Sequence, residues 1–317
     1  MIHVEQHGAV LTIRISRSFL GRPFWWTTVY WVDGVLIDAG PRFAAKALCS
    51  TLRKLPVERV LITHGHEDQI GGLGAICARY GQAKVYAGYR TLAILRDPPK
   101  PEPLYRRLLW GRPQPCTTNL IPLDDVDNVI KTENYTLRAV ETPGHTADHT
   151  AYFEPNQRWL FSGDIYIHGD EDAWAAEADL FGVVCSLRTL ASFHPERLFP
   201  ANGRVSRNPL PELHGKIGYL LQLTHEVARL DALGLSTADM VLRLFQKEPA
   251  LYFWTMGHYS AVKLVEACRS YNALLAPRQL PTPPRLLKPP APAENEDAPD
   301  SPDSSSNWPI DWSDWMR

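Results

Sequence analysis

Apolar residues recur at every second position in several short segments of residues 1–210. This spacing places apolar side chains on one face of an extended chain and predicts β-strands. It occurs at Leu11, Ile13 and Ile15, and again at Val29 and Trp31. Residues 83–87 and several runs between 135 and 161 are also strand-like, the latter interrupted by turns at residues 143–144 and 155–156. Residues 43–55 are predicted to form a helix, so that strands and helices alternate.

After residue 210 the apolar spacing becomes that of α-helices. One face of a first helix consists of Ile217, Leu220, Leu221, Thr224 and Val227. Ser236 and Asp239 resemble a capping box at the start of a second helix. The apolar positions of a third helix are Leu264, Val265, Cys268, Tyr271 and Leu275. Residues 211–276 are therefore predicted to form a small helical domain.

Residues 277–317 have neither pattern and are rich in proline, acidic residues and serine. Such a composition buries too little apolar surface to offset chain entropy, so we expect disorder. Trp308, Trp312 and Trp315 would share one face of a helix. They are interpreted either as a docking motif for a partner or for the protein's own surface, or as part of an exposed tail without a role.

Composition narrows the class of protein only a little. The chain has 317 residues, 44% of them hydrophobic, and a formal net charge of -2, which gives no general attraction to nucleic acid or anionic membranes. No apolar run approaches the roughly 20 residues that span a bilayer, and the N-terminus has no signal-peptide pattern. The 5 cysteines form no CxxC pair. Reduced thiols in a cytoplasmic protein are expected.

Candidate chemistry begins directly after the apolar run of residues 57–62. His64, His66 and Asp68 follow at alternate positions, where an extended backbone points their side chains to one side. Imidazole nitrogens suit zinc, iron and nickel, and a nearby carboxylate can complete a metal site or hold a water molecule. These residues therefore predict a metal centre.

Four motifs in order along the chain resemble those of the metallo-β-lactamase superfamily. Residues 64–69 match its HxHxDH motif except that Gln69 replaces the last histidine, and His145 lies in a matching Pro-Gly-His loop. Asp164 ends a Ser-Gly-Asp segment, and Asp38 lies in a strand-turn-strand unit where the family has an aspartate that supports the ligands from behind. The resemblance covers roughly residues 8–205 and is closest to the lactamase-beta-2-like and glyoxalase II-like branch.

The resemblance implies an α/β fold in which two sheets are sandwiched between helices, the αββα sandwich. The expected division is a metallo-β-lactamase-fold domain over residues 1–210, a helical, winged-helix-like cap over 211–276 and a disordered tail over 277–317. Residues 90–116 interrupt the first domain. This segment is interpreted either as a lid that shapes the substrate site or as a plain surface insertion.

The resemblance also implies a set of metal ligands. In the family, the first metal takes the residues that match His64, His66 and His145, which leaves an open position. The second metal takes those that match Asp68, Gln69, Asp164 and Asn202. Both missing imidazoles belong to this second site, and amide oxygens are weaker, harder ligands. One zinc ion in the first site is therefore expected, with iron or manganese as alternatives. The second site is expected to be empty, weakly filled or occupied by a hard cation.

The function implied is hydrolysis of an ester, thioester or lactone by a water molecule that the metal activates. Bound Zn²⁺ can lower the pKa of water to about 7. Asp68 is predicted to orient this water as general base, and Asp164 to bind the metal or the water. Gln69 and Asn202 are predicted to donate hydrogen bonds to the substrate. The aromatic residues 24–26 favour an apolar or aromatic small-molecule substrate over a polyanion.

Further histidines and a tyrosine carry weaker predictions. His149 is interpreted as structural or as a support behind the metal ligands. Tyr166 and His168 lie just past Asp164, and His258 opens the third helix of the cap. Each of these three is a candidate substrate contact, with an ordinary surface placement as the alternative.

Two other functions remain open from the sequence alone. Persulfide dioxygenases share the fold and bind one iron through two histidines and an aspartate, a set that His64, His145 and Asp164 would supply. A binding or regulatory protein with a degenerate site would also be consistent with Gln69 and Asn202. The sequence does not define the oligomeric state, and a dimer is plausible.

Overall fold

The computed structural model describes residues 1–19 and 22–275. Within these residues, a seven-stranded sheet has the order β1 (Ile2–His7), β2 (Val10–Phe19), β3 (Arg22–Val32), β4 (Val35–Ile37), β5 (Arg59–Leu61), β6 (Lys84–Ala87), β7 (Leu120–Pro122). Neighbouring strands are antiparallel from β1 to β4 and parallel from β4 to β7. The predictions made for residues 277–317 lie outside the described residues.

A second sheet faces the first and has five strands within the same described residues. They are β8 (Val129–Lys131), β9 (Thr136–Glu141), β10 (Thr150–Glu154), β11 (Trp159–Gly163) and β12 (Arg197–Pro200), in the spatial order β12-β11-β10-β9-β8. Only the β11–β12 pair in this sheet is parallel.

The helices follow in chain order. They are α1 (Ala45–Thr51), α2 (Glu67–Ile70), α3 (Leu73–Arg79), α4 (Tyr89–Arg96), α5 (Leu104–Trp110), α6 (Leu180–Ser192), α7 (Pro209–Ala232), α8 (Thr237–Phe245), α9 (Ala250–Trp254) and α10 (Ala261–Leu275). Short 3₁₀ turns at Arg42–Ala44 and Leu52–Lys54 flank α1, so the helix predicted over residues 43–55 is present in three pieces. In the described part of the chain, no helix is both long and apolar enough to cross a bilayer.

Side-chain alternation along the strands builds the layers of the molecule. Val35 and Ile37 of β4 face the second sheet, whereas Leu36 between them faces the helices on the outside. The space between the sheets is filled by Tyr30, Leu61, Tyr86, Tyr152, Phe161 and Phe199. The rings of Phe161 and Phe199 stack with centroids 4.8 Å apart. This aromatic layer holds the two sheets together.

Helices cover both outer faces, which confirms the predicted αββα sandwich. Leu48 of α1, Ile76 of α3 and Leu92 of α4 pack on the seven-stranded sheet. On the other sheet, the cover consists of α6, α7 and α10, through residues such as Leu187, Leu220 and Leu264. The C-terminal helices share one hydrophobic cluster with α6; the division into domains at residues 210 and 276 stays a prediction.

The C-terminal helices follow the sequence prediction with one addition. The Ser236 hydroxyl oxygen accepts a hydrogen bond from the backbone N–H of Asp239 at 3.2 Å, which is the predicted cap of α8. Helix α9 was not predicted, because it is only five residues long and has no buried residue to mark a helical stripe. It lies between α8 and α10 in the chain.

Candidate metal centre

Loops that follow β5, β9 and β11 meet at one edge of the sandwich. The backbone N–H of Thr150 donates to the Thr63 carbonyl at 2.8 Å and so ties the loop after β5 to the second sheet. Gly65 in this loop donates its N–H to Asp148 Oδ2 at 2.9 Å. A Cβ at Gly65 would lie 2.6 Å from Ile94 Cδ1, so the close approach to α4 requires glycine.

His64, His66, His145 and Asp164 converge at this edge. His66 Nδ1 lies 2.9 Å from His64 Nε2 and 3.1 Å from His145 Nε2. Asp164 Oδ2 lies 3.7 Å from both His64 Nε2 and His145 Nε2. The four donor atoms lie within 4.8 Å of one another. One ring nitrogen carries one proton at most, so three nitrogens and a carboxylate turned to one point fit a metal cation.

Burial keeps the three imidazoles in the form that a metal requires. Burial is the largest cause that lowers the pKa of each of His64, His66 and His145. Neighbouring positive groups lower the pKa of His64 and His66 further. At neutral pH the rings are therefore uncharged and a nitrogen lone pair is available on each.

A hydrogen-bonded chain behind His64 fixes which nitrogen faces the centre. Thr63 donates its backbone N–H to Asp38 Oδ1 at 2.8 Å and its hydroxyl to the same carboxylate. The hydroxyl oxygen lies 3.0 Å from His64 Nδ1 and can only accept there. Nδ1 therefore carries the proton, and Nε2 presents its lone pair. Asp38 stands behind the donors, as predicted, and acts through Thr63, which the sequence analysis missed.

His149 supports Asp164 in a similar way and does not join the donor cluster. Its Nδ1 lies 2.7 Å from Thr142 Oγ1, and its Nε2 accepts the backbone N–H of Asp164 at 3.1 Å. Gly163 has a φ of +54° there, and a Cβ would lie only 2.4 Å from His149 Nε2. The ring therefore determines where the chain turns and where Asp164 projects.

The two altered residues direct their amides at the two carboxylates. Asn202 Nδ2 donates to Asp164 Oδ1 at 3.0 Å, and Gln69 Nε2 lies 3.4 Å from Asp68 Oδ2. Burial, followed by the charge of Asp164, raises the pKa of Asp68 to about 8. Gln69 is fully buried, so its amide contacts Asp68 and has no access to a substrate. Two amide N–H groups thus face the carboxylate oxygens, Asp164 Oδ1 and Asp68 Oδ2, that a second cation would need as ligands.

A cavity of about 380 Å³ opens above the donors. Its floor contains His66, Asp68, His145, Asp164 and Asn202. Its walls contain five aromatic residues, Trp25, Trp26, Tyr105, Trp110 and Tyr259. Helix α5 supplies two of these rings and also Arg106. Of the two interpretations given for residues 90–116, the structure therefore favours the one in which the segment shapes the substrate site.

The three weaker candidates for substrate contact lie in different places. His168 lines the cavity. Tyr166 is buried outside the lining, and its hydroxyl donates to Glu212 Oε2 at 3.2 Å. His258 lies behind the wall, with Nδ1 2.7 Å from the Tyr105 hydroxyl and Nε2 3.2 Å from Glu177. Three residues of the cavity wall were not predicted from the sequence, although a short helix that mixes aromatic and basic residues could have indicated them: Tyr105, Arg106 and Trp110.

The fold and the donors define a known class of protein. The family model of the metallo-beta-lactamase superfamily matches residues 27–202, more than half of the chain. The chain belongs to this superfamily. A solved β-lactamase domain protein from Burkholderia ambifaria has a TM-score of 0.63 over 86% of this chain and 87% of that chain, at 19% sequence identity.

Curated relatives confirm the predicted branch. A beta-lactamase-like protein 2 homolog of Drosophila melanogaster is 31% identical over 196 residues, 59% of this chain and 59% of that protein. A hydroxyacylglutathione hydrolase of Legionella pneumophila (strain Lens) is 26% identical over 140 residues, 44% of this chain and 46% of that protein. The matched region thus spans about half of the length of these relatives.

Proposed function

We propose that this protein is a metal-dependent hydrolase of a small ester or thioester, with one metal ion held by His64, His66, His145 and Asp164. The observation that carries the proposal is the convergence of these four donors at the floor of an aromatic cavity, next to the buried carboxylate of Asp68. A divalent metal bound there supplies a Lewis acid and makes hydroxide available near neutral pH.

Asp68 is the residue placed to move the proton. It lies on the cavity floor and is 5% exposed, and Gln69 holds its Oδ2. The other oxygen, Oδ1, is available to accept a proton from the attacking water and to return it to the leaving group. Burial raises the pKa of Asp68, whereas a cation nearby favours the ionised form that a base requires.

The amides of Gln69 and Asn202 support a single metal ion. Each offers an N–H to a carboxylate that would otherwise face a second cation. An amide nitrogen that donates a hydrogen bond has no lone pair for a metal. We therefore propose that hydrogen bonds replace the second metal in holding Asp68 and Asp164 apart.

The cavity favours an acyl substrate with an apolar or aromatic group. Five aromatic side chains form its walls, and the similarity to a hydroxyacylglutathione hydrolase adds thioesters to the candidates. A dioxygenase would use His64, His145 and Asp164 and leave other positions open. His66 Nδ1 lies 2.9 Å from His64 Nε2 and would add a third nitrogen donor to that set, which favours hydrolysis.

Metal analysis of protein purified without added metal, combined with a substrate panel, tests the proposal. We expect close to one zinc per chain and turnover of an aryl ester, a lactone or a glutathione thioester. His145→Ala should lose both. Asp68→Asn should keep the metal and lose about 10²–10⁴-fold in kcat. His225→Ala, at an exposed position of α7, is the matched control and should change neither.

Three outcomes contradict the proposal in different ways. Two tightly bound zinc ions would contradict the argument from Gln69 and Asn202. Stoichiometric iron with oxygen uptake on glutathione persulfide would identify a dioxygenase. A folded protein with no metal and no turnover on any member of the panel would be a binding protein.

A further inference from the structure

Helix α5 places one strong cation in the aromatic wall of the cavity. Among the described residues that line it, Arg106 is the only arginine or lysine. Its side chain is buried, with the whole residue 6% exposed. Nε donates to Glu67 Oε2 at 2.8 Å, and Nη2 lies 2.7 Å from the same oxygen. Glu67 therefore fixes the plane of the guanidinium from one side.

The opposite edge of this guanidinium is free to bind a ligand. Nη1 and the second N–H of Nη2 find no acceptor among the described residues, and they form a fork that matches the two oxygens of a carboxylate. Arginine cannot shed its charge in a protein, so the fork stays cationic in this apolar surrounding. In this largely buried setting, a carboxylate that accepts both N–H groups would form charge-assisted hydrogen bonds with the guanidinium.

Tyr259 provides a second donor beside Arg106. Both residues line the same cavity. Burial raises the pKa of the Tyr259 phenol, and the charge of Arg106 acts against that increase. The hydroxyl has no hydrogen-bond partner among residues 1–19 and 22–275, and the residue lines the cavity. Its ring lies 6.3 Å from that of Trp25, which in turn lies 5.9 Å from that of Trp110. A cationic fork, a hydroxyl and aromatic faces thus surround one space.

We propose that Arg106 and Tyr259 bind a carboxylate of the substrate, so that the preferred substrate is an ester or thioester with an apolar or aromatic body and one anionic group. This inference rests on the proposed hydrolase function. Asp172 also lines the cavity, and its carboxylate repels further negative charge, which favours a monoanion over phosphates or polyanions. Arg106 is a specificity-determining residue in this arrangement, separate from the donors that hold the metal.

A binding experiment tests the inference without any need for turnover. The probes are 3-phenylpropanoate and its neutral amide, titrated into the protein as purified, with dissociation constants measured by calorimetry. Hydrogen bonds to charged groups contribute about 1.5–3 kcal/mol, so the carboxylate should bind about ten- to hundredfold more tightly than the amide. The same ratio for kcat/KM, with a carboxylated and a neutral aryl ester, gives a second readout.

The variants separate Arg106 from its partner and from the metal. Glu67→Gln keeps the cation and should keep the preference for the carboxylate. Glu67→Gln combined with Arg106→Gln removes both charges, avoids an unpaired buried charge and should reduce the preference to about onefold. A carboxylate that bound to the metal would keep its preference in the double variant, and that result would overturn the inference.

One further variant keeps the test decisive. Tyr259→Phe removes only a hydroxyl and should lower the preference about three- to tenfold, which covers the case in which the double variant does not fold. An unchanged preference in Tyr259→Phe, together with an unfolded double variant, would count against the inference. If the hydrolase proposal is wrong and this one is right, the binding preference remains while metal content or turnover fails.

Discussion

The donor histidines depend on residues that never touch the metal position. The Thr63 hydroxyl donates its proton to the Asp38 carboxylate. The hydroxyl oxygen is therefore left as the acceptor for the Nδ1 proton of His64. His149 holds the backbone of Asp164 by accepting its N–H at Nε2. The orientation of the donors is therefore set before any ion binds, which lowers the entropy cost of binding it.

Thr63→Val is expected to weaken metal binding about 10–100-fold, the usual cost of losing such a supporting contact. Valine has nearly the same shape, and the backbone N–H of residue 63 still reaches Asp38, so the fold should remain. Competition with a chelator measures the affinity. Thr12→Val is the matched control, because Thr12 is 1% exposed and its hydroxyl has no partner among the described residues. An equal loss in both variants would refute the role of Thr63.

The sequence could predict the donors but not their supports. His64 and His66 are neighbours in one motif, so their shared direction follows from local backbone geometry. Thr63 and Asp38 are 25 residues apart, Arg106 and Glu67 are 39 apart, and Gly65 and Asp148 are 83 apart. Each of these contacts depends on how two segments pack, and no periodicity within a single segment reports it.

At the scale of elements, a buried ion pair joins the C-terminal helices to the rim of the cavity. Lys216 of α7 pairs with Glu171, and it is only 2% exposed. The other oxygen of Glu171 accepts the indole N–H of Trp174 at 2.6 Å. The segment after β11 is therefore attached to α7 through one carboxylate, and both charges are largely removed from water.

Glu171→Gln is expected to lower the melting temperature by roughly 6–20 °C. Breaking a buried pair costs about 3–5 kcal/mol, and about 1 kcal/mol shifts a domain of this size by 2–4 °C. Glutamine keeps an acceptor for Trp174, so the change isolates the lost charge. Lys216→Met added to Glu171→Gln should recover most of the loss, since no lone charge then remains.

The control for this change is an exposed pair. Arg158→Ala removes the Arg158–Glu196 contact, in which the side chains are 41% and 67% exposed. Such pairs contribute about 0–1 kcal/mol, so the melting temperature should hardly change. A comparable shift in both variants would show that the buried pair has no special role.

Strands and helices could be predicted from the sequence where the pattern of apolar residues or the capping residue is present. Alternation identified β2 and β3, and the Ser236 cap identified the start of α8. The strands β10 and β11 are buried at every residue and show no alternation, so only the turns around them marked their limits. Helix α9 is five residues long and had no buried residue to mark it.

At the scale of the molecule, the sandwich brings the ends of β5, β9 and β11 to one edge. Neither the order of strands in the second sheet nor its parallel β11–β12 pair follows from the spacing of apolar residues. The two-sheet arrangement was predicted from the resemblance to the superfamily, because its motifs occur together with one known fold. The position of α5 over the cavity was left open even then, since the segment is an insertion.

Removal of residues 277–317 is expected to leave the fold and the metal content unchanged. The composition of this segment offers few apolar residues to a core, apart from its tryptophans. Thermal unfolding and metal analysis of the truncated and full-length proteins measure the effect. A large loss of thermal stability on truncation would instead indicate docking of the segment through Trp308, Trp312 and Trp315.

The wall of the cavity and the metal donors come from different stretches of chain. Helix α5 supplies Tyr105, Arg106 and Trp110 from an insertion between β6 and β7, and none of the four donors lies there. Exchange of this insertion between relatives is therefore expected to change which substrates fit the cavity and to leave the four metal donors unchanged. Glu67 contacts the insertion through Arg106, so a graft that keeps an arginine opposite Glu67 should keep this contact beside the metal donors.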